Sequence, residues 1–386
     1  MIVFSFIVIL FAAGYVLLIL YYLSGWLQLK EYVPDGIVLS TKVTVIVPAR
    51  NEEKNIINLL NDLREQNYNK MLFEVIVVDD FSTDRTAEMV RNCNIENVKL
   101  ISLKDLAQTV HKNKANKKIA IETAVHQATG ELIITTDADC HVGNNWIYAL
   151  VSYYEEHGRH PAGKPVMIAG MVGYSYDRSF LAKFQTLDFI SLVGIAAASI
   201  KNGFNNLCNG ANLAYTKEAF LAVNGYRNND HIASGDDMML MHKISEKYPK
   251  QIAFLKNKDS IVYTSPETDI FSFWHQRLRW TSKSMHYEDK RITAVLCFVY
   301  LFNLLIVVNL ILGIFETVYL RIAMFQFLAK ICADTIFTYA VAKFFHRENL
   351  LWYFLPMQIV HILYVLCIGP AGVFGKYQWK GREMKR

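Results

Sequence analysis

Three long apolar segments of the chain carry no charged side chain. Residues 1–29, 292–315 and 349–375 contain no Asp, Glu, Lys or Arg. Each segment is longer than the ~20 residues that cross the hydrocarbon core of a bilayer as a helix. The pattern predicts a protein held on a membrane and excludes a purely soluble one, while residues 30–291 read as ordinary globular sequence.

The N-terminal apolar segment is typical of a retained membrane anchor rather than of a signal peptide. It lacks a basic region at its start, and its apolar stretch is longer than that of a secretory signal. Lys30 is the first positive charge after the segment, and positive charge favours the cytoplasmic side of a membrane. The sequence therefore predicts that the main domain faces the cytoplasm.

The C-terminal topology depends on a weaker apolar segment at about 322–344. It contains Lys330 and Asp334, which could pair at i and i+4 on one helix face, although a charge at mid-membrane is costly. Pro356 and the Gly369-Pro370 pair give the last apolar segment places to break. Because the tail at 376–386 is rich in Lys and Arg, we expect it to stay cytoplasmic, with one C-terminal segment re-entrant or interfacial.

Between the membrane segments, short apolar runs alternate with helical stretches. The short runs are rich in Val, Ile and Leu, as strands are. Such alternation is typical of βαβ units, which form a mostly parallel sheet with helices on both faces. Ligands bind at the carboxyl ends of such strands, where polar side chains also gather in this chain. The predicted strands are 43–47, 75–78, 98–103, 132–136 and 166–172, and the predicted helices are 52–66, 86–91 and 115–128.

Composition narrows the possible functions. The 386-residue chain is 53% hydrophobic and only 19% charged, which is fewer charges than an ordinary soluble domain carries. Its six cysteines form no Cys-x-x-Cys pair, which argues against a disulfide framework or a zinc site. Much of the net charge of +5 lies in the tail, where it suits a cytoplasmic stop signal. We therefore expect no nucleic-acid partner.

An Asp-x-Asp pair follows the predicted strand at 132–136. Asp137 and Asp139 stand at i and i+2, so on an extended backbone both carboxylates could face one divalent cation, Mg²⁺ or Mn²⁺. The alternative is that the pair only turns the chain into the next helix. Taken in isolation, a pair of this kind favours the turn.

In two further places, two acidic residues stand next to each other, and their mutual repulsion requires an explanation. Asp79 and Asp80 end a predicted strand and would repel each other unless a group with donors, such as a ribose or a base edge, binds them. Asp236 and Asp237 precede an amphipathic helix and could complement its dipole after a Ser234 cap. They could equally raise one another's pKa, which favours a general base. The segment itself does not separate these two interpretations.

Basic and aromatic residues supply the complementary chemistry. The run 111–118 holds four lysines; most would lie in a solvated loop, while one could counter a diphosphate. On a helix that carries QRLRW, Gln276, Arg279 and Trp280 fall on one face, and Arg277 points roughly 100° away. Arg279 could hold a phosphate and Trp280 a sugar ring. The aromatic residues just before them also suit a membrane surface.

In this order along the chain, these signals resemble the membrane-bound family 2 glycosyltransferases, the inverting group that includes cellulose, chitin and hyaluronan synthases. The likeness covers residues 43 to about 285, and the Q-x-x-R-W element is its most specific part. The matching pieces are VTVIVPARNEE at 43–53, VIVVDDFSTD at 75–84, Lys117 ahead of AIETAVHQATGELIITTDADC, NGAN at 209–212, SGDD at 234–237 and QRLRW at 276–280.

The resemblance implies a GT-A fold that binds a nucleotide-activated sugar, expected to be a UDP-sugar, with Mg²⁺ or Mn²⁺. It implies that Asp139 binds the metal, that Asp237 is the general base and that Trp280 lines the acceptor site. Many synthases carry Glu where Asp236 stands, which weakens the role of Asp236 more than that of Asp237. The resemblance also implies that Ala49, Glu52 and Asp80, with Asp79 beside them, contact the nucleoside. It implies that Lys117 and Asp137 help to hold the rest of the donor. Gln276 and Arg279 would bind the diphosphate.

The sequence thus predicts a multi-pass enzyme of the cell membrane that transfers a sugar to a hydroxyl of a lipid or glycan acceptor with a β linkage. A processive polysaccharide synthase is the alternative, favoured by Q-x-x-R-W, whereas the few membrane segments favour single transfer. A non-catalytic subunit that binds a nucleotide-sugar is a second alternative. The expected organisation is an anchor at 1–29, a cytoplasmic GT-A domain at 30–268, an amphipathic interfacial helix at 269–290, a membrane region at 291–375 and a basic cytoplasmic tail at 376–386.

Overall fold

The computed structural model of the chain combines one large β-sheet, helices on its two faces and a set of long apolar helices. It describes residues 2–106, 116–158, 163–229, 232, 235–283, 287, 289–375, 377–379 and 382–384. The strands of this part of the chain are β1 (Val43–Ala49), β2 (Phe73–Asp79), β3 (Val98–Ser102), β4 (Leu132–Thr135), β5 (His141–Val142), β6 (Met167–Ala169), β7 (Val172–Tyr174), β8 (Leu213–Thr216), β9 (Ile252–Phe254), β10 (Val262–Thr264), β11 (Tyr377–Trp379) and β12 (Arg382–Met384).

Helices separate most of these strands. Short 3₁₀ turns add Lys70–Leu72, Gly210–Asn212 and Glu348–Tyr353. The α-helices are α1 (Ile2–Gln28), α2 (Ile56–Arg64), α3 (Thr86–Arg91), α4 (Asn116–Gln127), α5 (Trp146–His157), α6 (Phe180–Lys201), α7 (Lys217–Ala222), α8 (Asp236–Lys247), α9 (Ile270–Ser282), α10 (Lys290–Leu312), α11 (Thr317–Phe344) and α12 (Phe354–Phe374).

The main sheet has the strand order β3-β2-β1-β4-β8-β6-β9. Strands β1 to β4 run parallel, β8 is antiparallel to both of its neighbours, and β6 and β9 pair parallel at the far edge. A smaller sheet has the order β5-β10-β7, and β11 pairs with β12 as a hairpin. The α/β class and the mostly parallel sheet that the sequence predicts are confirmed.

The central strands are buried on both faces, which explains their continuous apolar runs. Val45, Ile46 and Val47 of β1 are fully buried between β2 and β4. Each such side chain contributes about 1.5–3 kcal/mol to the free energy of unfolding. On α4, Ala120 and Ala124 are fully buried because α4 lies close against β1 and β2.

One predicted strand is wrong in its extent. The run at 166–172 is two strands, since β6 belongs to the main sheet and β7 to the smaller one. Gly170 lies between them, where a Cβ atom would stand 2.4 Å from Nδ2 of Asn212. The chain crosses from one sheet to the other at a point where only glycine fits.

Four helices in the described part of the chain are long and apolar enough to cross a membrane. Three of them, in α1, α10 and α12, match the charge-free segments of the sequence. The fourth is α6, which the sequence analysis does not predict because Lys183, Asp188 and Lys201 interrupt its apolar pattern. Helix α6 packs against α1 and α11.

The C-terminal helices confirm one expectation and contradict another. In α11, Nζ of Lys330 lies 2.6 Å from Oδ2 of Asp334, so the expected i, i+4 pair exists, and Lys330 is fully buried. Tyr15 of α1 joins this pair through its hydroxyl. The expected break at Pro370 is wrong, because α12 continues through it. Of the tail at 376–386, the structure describes only the backbone of β11 and β12.

Candidate active site

Lys117 joins two acidic segments that lie far apart in the sequence. Its Nζ lies 2.8 Å from Oδ1 of Asp137, which follows β4, and 3.2 Å from Oδ2 of Asp236, the first residue of α8. Lys117 itself sits in the first turn of α4. The structure therefore brings together three of the predicted site residues. The lysines at 112 and 114 and the expected Ser234 cap lie outside the described residues.

Asp237 is held by backbone amides and by a second lysine. Its Oδ2 accepts a hydrogen bond from the Gly210 amide at 3.3 Å, and its Oδ1 accepts one from the Met238 amide at 2.8 Å. Nζ of Lys283, just after α9, lies 3.4 Å from Oδ1. Gly235 makes the turn into α8 with a φ of 82°, a left-handed conformation that favours glycine. The two acids of SGDD thus have different cationic partners.

The charges of this cluster shift the pKa values of Lys117 and Asp236 so that both side chains stay charged. Burial alone would lower the pKa of Lys117, but the carboxylates of Asp137 and Asp236 raise it well above its ordinary value. Burial alone would raise the pKa of Asp236, but Lys117 and then Lys283 hold it below its usual range. The expectation that the adjacent carboxylates raise each other's pKa is therefore wrong for Asp236, because each carboxylate has a lysine beside it.

Helix α9 carries the QRLRW residues, and Arg277 lines the same cavity as the three residues predicted to share a face. Gln276, Arg279 and Trp280 line a common cavity. Nε2 of Gln276 donates to Oε1 of Glu267 at 2.9 Å. Arg277 also reaches the cavity wall, but its guanidinium is 1% exposed and is held inside the protein.

A single cavity of about 920 Å³ collects most of the predicted catalytic residues. The lining residues in contact with Lys117 and Lys283, which are Asp137, Asp236 and Asp237, form together with Asp139 what we call the carboxylate end of the cavity. The rest of the lining extends along several of the long apolar helices. The predicted site residues that line it are Lys117, Asp137, Asp139, Asp236, Asp237, Gln276, Arg279 and Trp280.

The predicted nucleoside-binding residues do not line this cavity. Ala49 and Asp79 end the neighbouring strands β1 and β2, and the Asp80 amide donates to the Ala49 carbonyl at 2.8 Å. Glu52 is buried in the loop before α2, where its amide donates to Oγ1 of Thr86 at 2.7 Å. The predicted helix start at 52 is therefore wrong, since α2 begins at Ile56. These residues form a separate group on the same sheet edge, next to β4.

A divalent cation fits this site only if the protein and the substrate coordinate it together. Among the described residues, no three or more His, Cys, Asp or Glu side chains gather as a metal site. Asp139 is exposed and lines the cavity, while Asp137 is already paired with Lys117. Mg²⁺ commonly takes one or two carboxylates and fills its other positions with water and substrate phosphates. The donor set therefore suits a metal that arrives with a diphosphate.

Several residues of the site escape the sequence analysis. Lys283 follows Arg279 by four positions, so helical spacing could have placed it on the same face. Glu267 precedes α9 and carries no pattern that marks it as a partner of Gln276. Asp188, which lies 2.9 Å from Arg277, is part of an apolar helix and gives no local signal.

Comparison with known families agrees with this geometry. The model of glycosyl transferase family group 2 matches residues 132–366, well over half of the chain. The chain belongs to glycosyl transferase family group 2. A second model, glycosyl transferase family 2, matches residues 44–204 of this glycosyltransferase and so includes β1 and β2. The prediction that the protein is a glycosyltransferase is confirmed.

Curated relatives match parts of the glycosyltransferase. Poly(ribitol-phosphate) beta-N-acetylglucosaminyltransferase TarS of Staphylococcus aureus is 35% identical over 117 residues, which are 30% of this chain and 19% of TarS. Poly-beta-1,6-N-acetyl-D-glucosamine synthase of the same species is 27% identical over 240 residues, 62% of this chain and 53% of the synthase. Glycosyltransferase AglE of Haloferax volcanii is 26% identical over 196 residues, 51% of this chain and 59% of AglE. The chain thus spans less than two thirds of each relative.

A solved structure supports the fold along nearly the whole chain. The mannosyltransferase PcManGT from Pyrobaculum calidifontis, solved in complex with GDP-Man and Mn²⁺, matches with a TM-score of 0.56 and 19% sequence identity. The match covers 96% of this glycosyltransferase and 98% of PcManGT. At this identity the likeness concerns the fold, and the predicted GT-A fold is confirmed.

Proposed function

We propose that this glycosyltransferase moves a sugar from a nucleotide-sugar, a UDP-sugar, to a hydroxyl of a lipid or glycan acceptor with inversion at the anomeric carbon. An α-linked donor then gives a β-linked product. The observation that carries the proposal is one cavity whose wall holds a candidate base, Asp237, and cations suited to a diphosphate, Lys117 and Arg279. The names of TarS and of the poly-β-1,6-N-acetylglucosamine synthase, which both specify β-linked sugars, support the stereochemistry.

The donor is proposed to span the two groups of residues at the sheet edge. Ala49, Glu52, Asp79 and Asp80 would contact the nucleoside, because they lie at the ends of β1 and β2, beside β4. The sugar and diphosphate would then reach into the cavity. There they meet the residues that follow β4 and those on α8 and α9.

The diphosphate is a leaving group whose negative charge must be neutralised. Arg279 and Lys117 line the cavity and would neutralise this charge, and Gln276 would add a hydrogen bond. When bound through Asp139, Mg²⁺ or Mn²⁺ would supply further neutralisation of the diphosphate oxygens. The donor displaces water from the carboxylate end of the cavity, which strengthens each of these interactions.

Asp237 is the proposed general base. Its carboxylate lines the cavity, and the Gly210 and Met238 amides fix its orientation. It would take the proton of the acceptor hydroxyl as the oxygen attacks the anomeric carbon from the face opposite the diphosphate. Trp280 would offer its ring to the acceptor. Asp236 would act indirectly, by holding Lys117.

The enzyme is proposed to be a multi-pass protein of the cell membrane with its catalytic part in the cytoplasm. Helices α1, α10 and α12 are the candidate spans. Helix α6 is long and apolar enough, but it begins and ends on one side of a membrane because β6 before it and β8 after it pair in one sheet. The positive charges of the tail favour a cytoplasmic C-terminus. A processive synthase is the second candidate, because the poly-β-1,6-N-acetylglucosamine synthase matches 62% of the chain. Membership of a glycosyltransferase family argues against the non-catalytic subunit.

Product analysis with a panel of radiolabelled nucleotide-sugars tests the proposal. Purified membranes that contain the full chain are incubated with each donor and Mg²⁺ or Mn²⁺, and the products are sized. One donor should give a labelled product of defined size, and a ladder of long products would favour the processive alternative. Absence of transfer from every nucleotide-sugar, in membranes that hold the folded protein, would overturn the proposal.

A further inference from the structure

The active-site cavity does not end at the carboxylates. Besides Asp237 and Trp280, its lining includes residues of helices α6, α10 and α12, which are long and apolar enough to lie in a membrane. Its wall in this inner part is mostly hydrocarbon. The apolar side chains that line it from these helices include Leu187, Leu192, Val299, Val365, Ile368 and Val373.

Some side chains of the inner wall are also exposed on the outer surface of the protein. Leu296 and Leu301 of α10 line the cavity and are 47% and 44% exposed. Pro370 of α12 also lines it and is exposed. These residues belong to two candidate membrane helices, around which a bilayer would supply hydrocarbon chains rather than water.

Several polar side chains on the inner wall already have partners within the protein. The Ser191 and Thr338 hydroxyls lie 3.1 Å apart, and Asp334 is bound by Lys330 and Tyr15. A sugar chain would need many free donors and acceptors along such a wall, because its hydroxyls lose their water there. The inner wall therefore suits hydrocarbon better than glycan.

Two acceptor atoms on α12 differ from these groups. Oε1 of Gln358 and Nδ1 of His361 are buried, line the cavity and have no hydrogen-bond partner. They stand at i and i+3, so they share one helix face. Oε1 of Gln358 accepts hydrogen bonds, and Nδ1 of His361 accepts one in the tautomer that carries its proton on Nε2, the nitrogen 3.8 Å from Oδ1 of Asp188. Two such acceptors suit the polar headgroup of a lipid, whose donors would leave neither atom unsatisfied.

We propose that the acceptor is a membrane lipid whose headgroup hydroxyl reaches Asp237 while its hydrocarbon chain lies in the inner cavity between α6, α10 and α12. The lipid enters from the bilayer past the exposed lining residues of α10 and α12, and Gln358 and His361 accept hydrogen bonds from its headgroup. This inference rests on the proposed glycosyl transfer and narrows its acceptor to one class.

A matched pair of substitutions in α12 tests the inner cavity. Val365→Trp fills the space for the hydrocarbon chain, whereas Leu363→Trp adds the same ring to a side chain that is 54% exposed and does not line the cavity. The full-length protein is reconstituted in vesicles of total membrane lipid with a radiolabelled donor. Labelled product that enters the organic phase should fall about tenfold or more for Val365→Trp and stay near wild type for Leu363→Trp.

Release of the nucleotide in the absence of transfer separates this inference from the proposed function. Donor hydrolysis by the Leu363→Trp variant should match that of the wild type, since Leu363 does not line the cavity. If the wild-type protein cleaves its donor but the product stays in the aqueous phase, the lipid inference is wrong and the proposed function stands. If the wild-type protein cleaves no nucleotide-sugar, the proposed function fails and the inference falls with it.

Native mass spectrometry gives a second measurement that does not depend on turnover. Wild-type and Leu363→Trp protein released from detergent should carry a bound lipid mass, and Val365→Trp protein should lose it. Equal lipid binding by both variants, with equal transfer, would overturn the proposed place of the hydrocarbon chain. Gln358→Leu should weaken transfer to lipid through an increased KM for the acceptor.

Discussion

Arg277 and Asp188 form a buried ion pair that ties helix α9 to helix α6. Nη2 of Arg277 lies 2.9 Å from Oδ2 of Asp188, and both side chains are less than a tenth exposed. The Arg277 guanidinium also lies over the Trp280 ring, 4.3 Å from its centroid. The pair thus fixes the helix that carries the proposed acceptor tryptophan. His361 of α12 lies beside it, with Nε2 3.8 Å from Asp188.

Asp188→Asn should destabilise the protein strongly, because it leaves the buried Arg277 charge without its anion. The expected loss is about 3–5 kcal/mol in the free energy of unfolding. The double variant Asp188→Leu with Arg277→Met should recover most of it, since no unpaired charge remains. Thermal unfolding of the solubilised full-length protein measures both, and Arg178→Met, an exposed cation just before α6, is the control. Equal unfolding temperatures for Asp188→Asn and wild type would contradict this account.

Asp237→Asn should abolish transfer and leave donor binding nearly intact, because the amide keeps the shape of the carboxylate but takes no proton. The expected loss in kcat is about 10²–10⁴-fold. Steady-state kinetics and donor titration measure the two effects separately. Asp259→Asn, an exposed acid outside the cavity lining, is the control. Turnover near that of wild type would reject Asp237 as the base.

Asp139→Ala should remove activity together with the dependence of donor binding on a divalent cation. The physical reason is that the Asp139 carboxylate is the exposed hard ligand at the carboxylate end of the cavity. Donor binding is titrated with Mg²⁺, with Mn²⁺ and with excess EDTA. Full wild-type activity in EDTA would mean that Asp137 and Asp139 bind no metal and only shape the turn of the backbone after β4.

Lys117→Met should make the protein unfold at a higher pH on acidification. In the folded protein the pKa of Asp236 is held low, by Lys117 above all. The stability that this carboxylate contributes is present above the pKa of about 3.9 that Asp has in the unfolded chain, and it is lost as the pH falls through the lower folded value.

Without Lys117 the folded pKa of Asp236 rises, so part of that stability disappears earlier. Unfolding temperatures measured from about pH 7 to pH 3 should therefore diverge from wild type at the acidic end. Lys104→Met removes an exposed lysine and serves as the control. Parallel curves for Lys117→Met and wild type would refute the coupling between Lys117 and Asp236.

A cysteine added after Arg386 should resist an impermeant thiol reagent in intact cells and react after permeabilisation. The expected reason is that the Lys and Arg side chains of the tail stay on the cytoplasmic side. The four cysteines that are not buried are first replaced by serine so that only the new thiol reports; they are Cys93, Cys297, Cys332 and Cys367. Labelling from outside would instead favour three full C-terminal crossings.

The hydrophobic pattern within a short segment was enough to predict those strands and helices that form from local preferences alone. The strands β1 and β2 follow from continuous Val and Ile runs, and α3 has its predicted bounds. The i, i+4 pair of Lys330 and Asp334 follows from helix geometry alone. In each case the signal lies within a few residues of the element, so the sequence contains it directly.

Long-range partners could not be predicted in the same way. Asp188 has its role only because Arg277, far along the chain, is buried beside it. The split of residues 166–172 into β6 and β7 depends on Asn212, which leaves space only for a glycine at position 170. The direction of the Asp236 pKa depends on Lys117 and Lys283, which belong to other helices. These features depend on contacts between residues far apart in the sequence, so no local pattern reveals them.

The place of α6 in the chain has a consequence for synthesis. Strand β8 is the neighbour of β4 in the middle of the main sheet, and α6 lies between these two strands in the sequence. While the ribosome extends the chain, β1 to β4 are finished first, but β4 keeps an open edge until α6 and then β8 have emerged. The sheet can therefore be completed only after the apolar helix α6 has been made, while α11, which packs on α6 together with α1, is made later still. A gene trimmed at its two ends would lose α1 and α11 but keep α6, whose apolar surface would then be uncovered, so trimming would not give a water-soluble catalytic fragment.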